Sequence, residues 1–85
     1  MNKFSVEIEW IVQEINNQVI ECKKYDAYGN TVDEVLGQEM KLLGKKLDTQ
    51  FTYETYGEHN GFRRHERFFH EGQYVGVITV AVKTP

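Results

Sequence analysis

The chain has one cysteine, one serine, one tryptophan and one proline among its 85 residues. Each scarcity excludes something. With Cys22 alone, no intramolecular disulfide can close and no zinc site can rest on several thiolates, so the thiol reads as a small, partly buried side chain on a strand. Ser5 has no histidine near it in sequence and Cys22 has only Lys23 and Lys24 beside it, which leaves no legible nucleophile–base arrangement. The longest apolar stretch, Val75 to Val82, is far short of the roughly 20 residues a membrane span requires. No basic-then-apolar leader opens the chain, and the expected location is the cytoplasm. Low complexity is absent too: 40% hydrophobic, 27% charged and 13% aromatic residues describe an ordinary globular chain. Its length suits one domain, residues 1–85, burying about 60–65% of the surface its unfolded chain exposes, which disfavours a deep enclosed active site.

Arginine and histidine are missing almost everywhere. All three arginines and all three histidines fall between His59 and His70, and every other positive side chain is lysine. Arginine suits planar, bidentate recognition of carboxylate or phosphate, so this window is the first candidate contact surface. The net charge is −3, with eleven acids to six lysines in residues 1–60 and four bases to two acids in residues 61–85. A general nucleic-acid binder would carry a basic face on a basic domain, so direct nucleic-acid binding is disfavoured. An acidic surface that competes with nucleic acid for a basic partner stays open.

Phe4, Val6, Ile8, Trp10 and Val12 alternate with polar residues, the period of a half-buried strand over Lys3 to Val12, with Trp10 in the core. Asn16-Asn17 then turns the chain, and Gln18 to Tyr25 reads as the partner strand. Thr31-Val32-Asp33-Glu34 is a capping box, in which the threonine hydroxyl and the glutamate each satisfy an open backbone N–H. Val32, Leu36, Met40, Leu43 and Leu47, with Val35, make one apolar stripe, predicting a single helix over Thr31 to Leu47. Asp33 and Glu34 near its start and Lys45 and Lys46 near its end favour the helix dipole. Gly37 and Gly44 suggest close approach of this helix to a sheet. The implied fold is α+β in the order β-β-α-β-β-β, with one helix on an antiparallel sheet.

Phe51 to Tyr56 is strongly β-prone, and Asn60-Gly61 predicts a two-residue hairpin turn with positive φ at both positions. That turn sets a register: His59 opposite Phe62, Glu58 opposite Arg63, Tyr56 opposite His65, Glu54 opposite Arg67, Tyr53 opposite Phe68 and Phe51 opposite His70. One face then carries Glu54, Tyr56, Glu58, Arg63, His65 and Arg67. The other carries Phe51, Tyr53, Thr55, Arg64, Glu66, Phe68 and His70. An irregular loop over residues 61–70 is the alternative. The last strand, Gln73 to Val82, is apolar on both faces and belongs in the middle of the sheet. A three-residue loop over Glu71 to Gln73 would place Tyr74, Ile78 and Val80 on the Phe68 side.

Two readings of the window compete. In the first, Glu58–Arg63 and Glu54–Arg67 are cross-strand pairs on a solvated face, contributing a few tenths to about 1 kcal/mol each. In the second, Glu54, Tyr56, Glu58, Arg63, Arg64, His65 and Arg67 form a partner-binding patch with the arginine and tyrosine anchors typical of interfaces. Of Tyr53 and Tyr56, on opposite faces, Tyr56 is the expected exposed one. The register separates His65 from His70 and leaves His59 at the turn, so no metal site is expected. No cofactor motif is present. A nuclease-like use of His65, Glu66 and Arg67 is the enzymatic alternative, and assembly through the last strand is a third.

The segment Tyr28-Gly29-Asn30-Thr31-Val32-Asp33-Glu34-Val35-Leu36, after a strand hairpin, resembles the corresponding stretch of HicB-type antitoxins and the layout of small phage-encoded inhibitors. The passage from Leu43-Gly44 to Tyr53-Glu54-Thr55-Tyr56-Gly57 and Asn60-Gly61 is similar to that of some anti-CRISPR proteins. The DNA-binding segment at the C-terminus of HicB proteins has no counterpart here. These resemblances imply a non-enzymatic inhibitor, phage-encoded and acting in the host cytoplasm, that occludes a host protein or nucleoprotein complex. Monomer and homodimer are both compatible with the chain.

Overall fold

The computed structural model describes residues 1–13 and 15–83, apart from the side chains of Glu58 and His59. Its elements follow in the expected order: β1 (Asn2–Gln13), β2 (Gln18–Gly29), α1 (Val32–Leu47), β3 (Thr52–His59), β4 (Arg63–His70) and β5 (Gln73–Val82). The strands form one antiparallel sheet in the order β2-β1-β5-β4-β3. Residues 63–70 are thus a strand and not a loop, and β5, apolar on both faces, is the central strand as its composition predicts. The second strand runs four residues past its expected end.

Phe4, Val6, Ile8 and Trp10 of β1, Phe68 of β4 and Ile78 and Val80 of β5 point to one side of the sheet. There they pack against Val32, Val35, Leu36, Met40 and Leu43 of α1, all of them buried. The amide of Glu34 donates to Thr31 Oγ1 at 3.1 Å, and the Glu34 carboxylate accepts from Asn30 N at 3.1 Å, one residue earlier than the reciprocal capping box requires. At the other end Asp48 takes a left-handed conformation, φ 51°, and its N–H closes on the carbonyls of Gly44 and Lys45. A Cβ on Gly44 would stand 2.8 Å from the Thr49 carbonyl oxygen, while Gly37 has open space around it. The helix glycines therefore do not serve approach to the sheet; Gly44 serves the closing turn. Leu47, expected on the stripe, is exposed.

Both β-turns near the window depart from expectation. His70 pairs with Gln73 across a two-residue loop in which Glu71 and Gly72 have φ of 50° and 80°, so the mirror-image turn forms here and not the expected three-residue loop. A bulge restores the phase, because Phe68 pairs with Gly76 but Phe69 pairs with Tyr74. Ile78 and Val80 consequently return to the Phe68 side, whereas Tyr74 meets Phe69 on the opposite face, edge to ring at 6.1 Å. Gly76 permits this: a Cβ there would fall 1.9 Å from the Glu9 carbonyl oxygen.

Asn60-Gly61 takes no positive φ. Instead Asn60 Oδ1 accepts from the amides of Phe62, at 2.8 Å, and Arg63, at 3.0 Å, a side-chain turn that wins over the type I′ geometry. The predicted register holds from Thr52↔Phe69 to Thr55↔Glu66 and then slips, so that His59 opposes Arg64 and not Phe62. Gly57, at φ 78°, lies inside the slip, and the expected Tyr56–His65 and Glu58–Arg63 pairings are not among the pairs of the ladder.

Candidate protein-contact surface

The helix covers one face of the sheet, and alternation sends a second set of side chains to the other. Register aligns these in rungs across β2, β1, β5 and β4: Lys24, Glu7, Thr79 and His65 in one, Cys22, Glu9, Val77 and Arg67 in the next, and Asp26, Ser5, Ala81 and Arg63 beyond. Glu54 extends the Arg67 rung onto β3. The basic residues of the window and an acidic pair on β1 thus share this open face, flanking the small residues of β5. The alternation of β1 already implied the position of Glu7 and Glu9, but only the pairing of β5 between β1 and β4 brings them near the arginines.

Arg67 is the centre of the β3–β4 part. Its Nη2 donates to Glu54 Oε1, and its guanidinium lies 4.8 Å from the centre of the Tyr56 ring, so an ion pair and a cation–π contact hold one flat group. Arg67 Nε is buried without a hydrogen-bond partner, which leaves capacity on this group unused. His65 Nδ1 and Thr79 Oγ1 are 2.8 Å apart, which ties β4 to β5, and Arg63 is exposed at the end of the strip. The side chain of Glu58, expected in the same strip, lies outside the described residues.

Arg64 belongs elsewhere. It turns toward the helix, where Nη1 is 2.7 Å from Asp33 Oδ1 and Nη2 is 2.6 Å from Glu66 Oε1, with Nε donating to the same oxygen. Glu66 is 1% exposed and also accepts from Thr55 Oγ1 at 3.4 Å; its Oε2 is buried without a partner. Burial opposes the charge on Arg64, but the hydrogen bonds and charges of Asp33 and Glu66 outweigh it and raise its pKa above the ordinary value. Arg64 therefore links the first turn of α1 to β4, the side to which the strand register assigns it with Glu66.

Because Glu66 faces the helix, it does not converge with His65 and Arg67. His70 is on the helix side as well, its Nδ1 3.2 Å from the Gln50 carbonyl oxygen. Among the described residues no three His, Cys, Asp or Glu side chains gather as metal ligands would. Cys22 is exposed and not partly buried, because β2 is an edge strand; its thiol donates to Glu9 Oε1 at 3.9 Å. Tyr53 and Tyr56 are both about half exposed: Tyr56 lies on the open face beside Arg67, and Tyr53, on the helix side, is carried by the opposite edge strand, β3.

No family model matches the chain, and no curated protein or solved structure is similar enough to count as a match. Among the described residues no helix is long and apolar enough to cross a membrane.

Proposed function

We propose that this is a small non-enzymatic binding protein, of the inhibitor kind its sequence resembles, that docks on a host protein or nucleoprotein complex and occludes part of its surface. The observation that carries the reading is the sorting of the window: Glu54, Tyr56, Arg63, His65 and Arg67 emerge together on the uncovered face, while Arg64 is consumed inside. Arginine stacked on tyrosine beside a carboxylate is the composition of an interface anchor. Glu54, Tyr56, His65 and Arg67 are held by their own neighbours before any partner arrives, which lowers the ordering cost of binding. A phage origin and the cytoplasm of the host as its place of action belong to the same reading.

Tyr56→Ala combined with Arg63→Ala removes two anchors without touching the Arg64–Glu66–Asp33 cluster. Tagged protein incubated with host lysate should retain its partner, and the double variant, with an unchanged circular dichroism spectrum, should lose at least about tenfold in capture, since hot-spot truncations cost 2 kcal/mol or more each. Equal capture by both proteins would remove the docking surface from the hairpin. A nuclease-type activity is tested by cleavage of RNA and DNA with and without His65→Ala.

A further inference from the structure

The open face is self-complementary, and we infer that it pairs with the same face of a second copy of this chain, about a two-fold axis running along β5. The rungs supply the argument. Rotation about an axis parallel to β5 and lying between two stacked sheets keeps each rung level and exchanges the strands on either side of β5. The β1 side chains of one copy then stand over the β4 side chains of the other.

In the rung of Val77, this sets Glu9 opposite Arg67 of the second copy and Val77 against its own equivalent. In the rung of Thr79, Glu7 stands opposite His65; in the rung of Ala81, Ser5 stands opposite Arg63. Each opposition occurs twice, as an isologous interface requires. The strand at the axis contributes Val77, Thr79 and Ala81, which are small enough for two sheets to approach and are only partly covered in the single chain. At the next level Ile11 of β1 and Phe69 of β4, both half-buried, add apolar area on opposite sides of the axis.

Charge distribution distinguishes this arrangement from a two-fold stacking about the perpendicular axis. A two-fold perpendicular to the strands and parallel to the sheet keeps β1 over β1 and β4 over β4, which sets acid against acid and arginine against arginine. The axis along β5 instead turns the β1 side of each face, where Glu9 stands beside Glu7 and its ion-pair partner Lys24, to the arginine side of the other, and so avoids like-charge juxtaposition. Size is sufficient as well. Five strands at about 4.8 Å and some eight residues at about 3.3 Å give a face of roughly 24 by 26 Å, comparable to the ~800 Å² that each partner of a standard interface buries. Aligned sheets pack at about −30°, so the corners splay; the pairing covers Arg63, His65 and Arg67, so a second copy and the partner proposed above compete for this face.

Sedimentation velocity across a concentration series is the test, with wild type expected to move from one to two copies as concentration rises. Val77→Glu puts a carboxylate at the axis, where two would meet, and Glu9→Arg sets arginine against Arg67; each should weaken self-association at least about tenfold. Combining Glu9→Arg with Arg67→Glu exchanges the charges and should restore the dimer. A wild type that sediments as one copy up to its solubility limit overturns the inference. So does a dimer indifferent to Val77→Glu, or a double variant no better than Glu9→Arg alone. Circular dichroism of each variant establishes that the fold is intact. Glu9 and Val77 are not the residues changed in the capture experiment, so the two readings fail separately.

Discussion

At the scale of single residues, the arginines of one short run have opposite fates because of a one-position difference in strand phase. Arg63 and Arg67 take the open face; Arg64 takes the helix side and closes on Glu66 and Asp33. Glu66 is the costly member, since a carboxylate with almost no exposure depends on its partners to offset lost hydration. Replacing it by glutamine removes the charge from two hydrogen bonds with Arg64 while keeping the shape. Glu66→Gln should lower stability by about 1–3 kcal/mol, less than for a fully buried pair because Arg64 keeps Asp33; urea unfolding of both proteins measures it. The phase of Arg64 was legible in the sequence, from its alternation with His65. Its partner Asp33 was not, because nothing local relates a helix N-terminus to a strand 31 residues on.

At the scale of elements, local chemistry set the helix almost to the residue. The threonine hydroxyl supplies the acceptor that the Glu34 amide needs, the acids follow it, and the lysines sit in the last turn. Thr31→Ala should cost about 1 kcal/mol and appear as a lower midpoint in thermal unfolding, with no change in the open face. The turns were less legible. Asn60-Gly61 reads as a type I′ hairpin only while the asparagine side chain is ignored; once Asn60 Oδ1 takes two amides, the loop lengthens and β3 accommodates the extra chain at Gly57. At the other hairpin the preferred loop length was wrong and the facing of Ile78 and Val80 right, because a bulge at the glycine β1 crosses most closely compensates for the shorter loop.

For the whole molecule, β1, β2 and the end of β5 are clamped by charge at one end of the sheet. Asp26 accepts from Lys83 at 2.9 Å and lies 3.4 Å from Lys3, and its pKa is lowered by the hydrogen bond to Lys83 first, then by the charges of Lys83 and Lys3. A carboxyl whose folded pKa is depressed adds stability above its unfolded pKa, near about 3.9, and loses it as pH falls through the folded value. The melting temperature of wild type should therefore exceed that of Asp26→Asn at neutral pH, and the gap should close on acidification below about pH 4; a gap independent of pH would place the clamp's contribution elsewhere. The exposure of these groups and screening by salt keep the effect small. Periodicity and capping, which act within a few residues, were enough for the element order, the helix with its N-cap, the apolar sides of β1 and β5 and the central place of β5, but not for the left-handed C-cap at Asp48. That β5 returns between β1 and β4 was settled by the folded sheet, for strand neighbours separated by most of the chain are chosen by burial of the shared core. That pairing set the surroundings of the arginine and histidine window, with Arg63, His65 and Arg67 facing Ser5, Glu7 and Glu9 across a strand of small residues.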